Sequence, residues 1–84
     1  MFKKLNHGYT LNTKSRMITK IRPYDEAQYY FAYLNLTNEN TAHVFKHTLD
    51  SSIFVKTIEF DDINEVADEL AMANSAIKEQ IVHY

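Results

Sequence analysis

Few residues in this 84-residue chain have both the type and the spacing that chemistry demands. Gly8 to Ser15 reads Gly-Tyr-Thr-Leu-Asn-Thr-Lys-Ser, which ends like a phosphate-binding loop. The second glycine of such a loop lets the backbone wrap a phosphate; here Thr13 stands in its place, and no helical pattern follows Ser15. The segment therefore reads as a turn and not as a nucleotide site. His43 and His47 are four residues apart, a spacing that on a helix brings two imidazoles to one metal ion. Their surroundings favour a strand, where the two rings would stand about 13 Å apart at a rise of about 3.3 Å per residue. Asp61, Glu65, Asp68 and Glu69 crowd one short stretch. Carboxylates that act as acid and base need opposed geometry and different environments, and these share one side of one expected helix. Cysteine is absent, which removes thiolate chemistry, cysteine-ligated metals and disulfides. The expectation is a non-enzymatic protein with no catalytic residue, no cofactor and no metal.

Surfaces for binding remain, and three are legible. From Gln28 to Thr37 the chain alternates as a strand does, with Tyr29, Phe31, Tyr33 and Asn35 on one face and Tyr30, Ala32, Leu34 and Leu36 on the other. If a helix covers the second row, Tyr29, Phe31 and Tyr33 face outward. They would then serve a protein partner, stack on bases, or be covered by a loop or by a second copy in a homodimer. The second surface is the exposed side of the C-terminal helix, where Met72 sits among Glu65 and Asp68 as an apolar island that would suit a basic partner. The competing reading is an ordinary solvated face. The third rests on charge. Up to Tyr24 there are six basic residues and no acidic one, and from Asp25 onward three basic and all eleven acidic ones, so +6 and −8 lie behind the net −2. Lys14, Arg16, Lys20 and Arg22 would supply a basic strip for nucleic acid. Alternatively the two halves attract each other across the fold, through exposed pairs that stabilise by only about 0–1 kcal/mol each.

The elements that must position these residues follow from hydrophobic period and turn chemistry. The length is that of one domain, residues 1–84, which buries about 60–65% of its unfolded surface. With one Gly and one Pro, the turns must be built from Asn, Asp, Ser and Thr. Tyr9–Asn12 and Met17–Arg22 flank a polar stretch as the arms of a hairpin, and Pro23 ends the second arm. The strand from Gln28 to Thr37, a turn at Asn38–Asn40, and strands within Ala42–Leu49 and Ile53–Phe60 complete a sheet. From about Asp61 to Val82, Ile63, Val66, Ala67, Leu70, Ala73, Ile77 and Ile81 form the stripe of an amphipathic helix. Asp62 and Glu65 form its capping box, and Ala71, Ala73 and Ala76 are placed on its inner side. The pattern predicts an α+β fold: a small antiparallel sheet of about four strands packed on one C-terminal helix, ββββα.

No apolar run approaches the roughly 18–20 residues of a membrane span, and the start of the chain lacks a secretory pattern, so a cytoplasmic protein is expected. No motif matches a named family. In size and composition the chain is similar to small phage- or mobile-element-encoded accessory proteins, of which anti-CRISPR proteins are one example. That similarity implies a protein-binding inhibitor of a bacterial host or defence complex. The alternative is a nucleic-acid-binding or regulatory module that uses the basic segment.

Overall fold

The computed structural model describes residues 1–20 and 28–82, with backbone alone for 78–82. Arg22, Ile21 and Pro23, and with them the expected end of the second hairpin arm, lie outside the described residues. The strands are β1 (Phe2–Lys4), β2 (Tyr9–Asn12), β3 (Met17–Lys20), β4 (Tyr29–Leu34), β5 (Thr41–His47) and β6 (Ser52–Glu59). A 3-10 turn at Asn6–Gly8 joins β1 to β2, and helix α1 (Asn64–Val82) follows β6. Each strand pairs antiparallel with its sequence neighbour, so the sheet is a meander in the order β1 to β6. The α+β class and the C-terminal helix agree with the sequence pattern; among the described residues there are six strands, not about four. Both arms of the hairpin are full members of the one sheet, and Phe2–Lys4 adds an edge strand too short to display a period.

Local chemistry explains where the elements turn. The Asn12 side-chain oxygen accepts the N–H groups of Lys14 (2.9 Å) and Ser15 (3.0 Å), closing the β2–β3 hairpin, and Arg16 leaves it with a φ of 66°. Between β1 and β2, His7 and Gly8 take φ values of 61° and 79°, the left-handed region that glycine tolerates and histidine enters at a cost. Strand β4 stops at Leu34 because the Asn35 side-chain oxygen accepts the N–H groups of Thr37 and Asn38, both at 2.9 Å. That turn competes with the strand ladder and throws Leu36, expected on the helix side, to 77% exposure.

The helix begins with the reciprocal cap its sequence announces. The Glu65 carboxylate accepts from the N–H of Asp62 (2.9 Å) and of Asp61 (3.1 Å), and the Asp62 carboxylate accepts from the N–H of Asn64 (3.0 Å). One stripe of α1 packs chiefly on β4 and on the 3-10 turn. The centre of the core is Ile18, Ala32, Ala42 and Val44 from the sheet against Val66, Ala67 and Leu70 from the helix, all 3% exposed or less. Alanines at 32 and 42 let the helix come close. Ala76, expected on the inner side, is exposed.

One polar side chain enters this core. Asn74, 5% exposed, donates from Nδ2 to the Tyr9 hydroxyl (2.7 Å) and to the Tyr30 carbonyl (3.2 Å), while its Oδ1 accepts the Tyr30 N–H at 2.7 Å. Among the described residues strand β3 pairs with β4 at Met17–Tyr33 and Ile18–Ala32. A side chain from the helix satisfies the backbone groups of Tyr30 beyond those pairs.

Candidate interaction surface

The alternation that sends Ala32, Ala42 and Val44 to the helix sends a row of aromatic residues to the opposite face of the sheet. Strand β4 contributes Tyr29, Phe31 and Tyr33, β5 contributes His43, Phe45 and His47, and β6 contributes Phe54. Six of these rings, all but that of His43, form one connected network, with Tyr29 joined to Phe31 at 6.1 Å. Phe31 stacks on Phe45 at 5.7 Å between centroids and meets Tyr33 edge-on at 5.6 Å; Tyr33 meets Phe45 edge-on at 5.8 Å. Tyr29 lies 4.8 Å from His47, and Phe54 extends the network by an edge contact of 5.7 Å to Phe45. These are the offset and edge arrangements that ring quadrupoles prefer. Phe31, at the centre, is only 6% exposed, whereas Phe54 at the rim is 55% exposed. Phe31 is therefore the floor that holds its neighbours, and the surrounding rings carry the accessible surface.

The polar members of this face are tied down. His43 Nε2 accepts from the Asn35 amide at 2.9 Å, because the Asn35 oxygen is already engaged by its turn; in the neutral ring Nδ1–H then donates to the Thr57 hydroxyl at 3.1 Å. Both ring nitrogens of His43 are thus used within the sheet. His47 shares its face, two positions beyond Phe45 on the same strand, as the strand reading of this pair requires. Among the described residues no group of three or more His, Asp or Glu side chains is placed to hold a metal ion.

The lysines of β5 and β6 avoid the aromatic face, while Lys4 of β1, opposite Thr10, shares that side of the sheet three strands away from β4. Lys46 and Lys56 turn to the helix side, the first with its ammonium 5.8 Å from the Tyr30 ring centre, the second bonded to the Glu69 carboxylate at 2.6 Å. Of the proposed basic strip, Lys14 sits in the β2–β3 turn, and Arg16 donates to the Asn35 carbonyl at 3.3 Å. Lys20 lies at the far end of β3, opposite the inward-facing Tyr9. The three are not gathered into one patch.

The acidic helix residues are largely occupied within the chain. Glu65 serves the cap, Glu69 pairs with Lys56, and Asp68 accepts from Asn6 Nδ2 (3.3 Å) and meets His7 Nε2 at 2.8 Å. Asn64 adds a further tie, its side-chain oxygen accepting the N–H of Asn6 at 2.8 Å. Met72 stands apart at 73% exposure. The acid excess thus has structural employment, while the aromatic row has none in joining helix to sheet. Sequence reasoning found Tyr29, Phe31 and Tyr33 but missed Phe45, His47 and Phe54. The signal was the alternation of His43, Phe45 and His47 within one strand. No helix among the described residues is long and apolar enough to cross a membrane. Comparison with protein-family models, curated proteins and solved structures finds no match.

Proposed function

We propose that this chain is a small non-enzymatic protein-binding domain whose recognition surface is the aromatic face of β4–β6, around Tyr29, Tyr33, Phe45 and Phe54. The observation that carries the reading is the connected ring network on the sheet face opposite the helix, whose β4–β6 part bears no Lys or Arg. Rings held in place by one another lose little freedom on binding and release much apolar surface from water, which is why Tyr and Phe concentrate at the centres of protein interfaces. Stacked bases would use the same rings, yet their phosphates need cations beside the platform, and Lys46 and Lys56 lie on the other face. The similarity in size and composition to phage-type accessory proteins suggests the particular form of this function: an inhibitor that occupies a surface of a bacterial host or defence complex.

Capture from bacterial lysate with the tagged chain tests the surface. Wild type should recover a specific protein, and Tyr33→Ala with Phe54→Ala, folded by circular dichroism, should lose it, whereas Met72→Ala should keep it. The reverse pattern would move recognition to the helix. If a labelled single-stranded or duplex DNA probe is retarded at about 50 mM salt, where electrostatic binding is strongest, the nucleic-acid alternative displaces this reading.

A further inference from the structure

The grip of Asn74 on Tyr30 fixes the direction of the backbone groups across three strands. The N–H and C=O of Tyr30 both reach Asn74, so they turn away from β5. Lys46, opposite Tyr30, therefore directs its own groups toward β6, and by alternation so do Val44 and Ala42. Their partners in β6 are Ile53, Lys56 and Ile58. Ser52, Phe54, Thr57 and Glu59 are left with N–H and C=O directed at the outer edge of β6, and among the described residues no strand pairs with that edge.

The spacing along this edge is irregular. Phe45 pairs with Phe54 and Val44 with Lys56, so Val55 is an extra residue, and the outward groups recur after two, three and two residues. An ordinary extended segment offers its groups at every second residue and falls out of step between Phe54 and Thr57. An antiparallel second copy of β6 does not, because the pattern reads the same in both directions about the Val55–Lys56 bond. Ser52 then meets Glu59, Phe54 meets Thr57, and the long gap of one strand faces the long gap of the other.

We propose that β6 is a self-pairing edge, joining two copies of this chain about a twofold axis into one continuous antiparallel sheet. Side chains obey the same symmetry. Val55 and Lys56 both line the helix-side cleft with Ile58, so Val55 faces the partner's Lys56 and Ile53 faces its Ile58 on one side of the joined sheet. Ile53, Phe54 and Val55 are 54%, 55% and 43% exposed in the single chain, a run that strand pairing would shelter. A lysine on an edge strand ordinarily opposes such pairing, but Lys56 is turned back and neutralised by Glu69 of its own helix.

Sedimentation equilibrium of the intact chain from about 5 µM to about 1 mM reads the outcome, supported by a register-specific charge exchange. Wild type should approach twice the monomer mass at the upper concentrations. Ser52→Glu places two carboxylates opposite each other at both ends of the paired strands and should raise the dissociation constant about threefold or more. Combining Ser52→Glu with Glu59→Lys should restore wild-type association, although the two positions lie at opposite ends of β6 in one chain. A monomer throughout overturns the proposal. A dimer indifferent to both variants overturns it as well, since that dimer forms elsewhere. Mass that grows without a plateau means an open assembly, and this too rejects the twofold pairing.

Discussion

At the scale of single residues, Asn74 joins helix to sheet by a route that apolar packing does not supply. It holds the Tyr30 backbone at two points and the Tyr9 hydroxyl at a third. Removing a partner from buried polar groups leaves each of them desolvated and unsatisfied, at a cost of about 1–3 kcal/mol per group. Asn74→Ala is therefore expected to lower stability by about 3 kcal/mol or more in urea denaturation. Asn74→Asp should also destabilise, because an acceptor would then face the Tyr30 carbonyl, whereas Tyr9→Phe should cost less than either. Equal midpoints for wild type and Asn74→Ala would remove this role. The residue was visible in the sequence as a polar side chain one helical turn beyond Leu70, within an apolar stripe. Its partner was not, since a side chain that bonds backbone groups leaves no mark on the residue types it bonds.

Elements differed in how openly the sequence declared them. The helix has a stripe, a cap and a dipole-matched acidic start, all local, and each is present in the structure. Leu70, 1% exposed against the sheet, should cost about 2–5 kcal/mol when changed to Ala, while Ser75→Ala on the exposed side should leave the thermal midpoint in place. The strands were legible in period and therefore in face: the row of Tyr30, Ala32 and Leu34 does meet the helix, leaving Tyr29, Phe31 and Tyr33 on the other side. Their ends were not. Leu36 continued the alternation in sequence, but the Asn35 side chain captured the next two N–H groups and ended β4. The extra residue at Val55 was hidden for a related reason. A bulge shifts which side chains share a face, so Ile53–Glu59 reads as β-branched strand sequence with no visible break.

For the whole molecule, the charge split between the two ends of the chain was the most conspicuous sequence feature, yet among the described residues the contacts that join those ends depend little on it. The 3-10 turn after β1 meets the start of α1 through Asn6–Asn64, Asn6–Asp68 and His7–Asp68, and of these only the histidine contact is an ion pair, when the ring is protonated. Everything else in the sheet is a hairpin between consecutive strands. That contrast has a consequence in time. Hairpins close short loops and are accessible early, whereas the clasp joins positions 58 to 62 residues apart and must wait until the meander and the helix both exist. Interactions absent from the transition state change the unfolding rate and leave the refolding rate nearly alone. Asp68→Ala should accordingly steepen loss of the native state in stopped-flow unfolding with little change in the refolding limb. Phe45→Ala, in the β4–β5 hairpin, should slow refolding instead. A slowed refolding limb for Asp68→Ala would mean that the clasp forms first, and that the two ends of the chain organise the sheet between them.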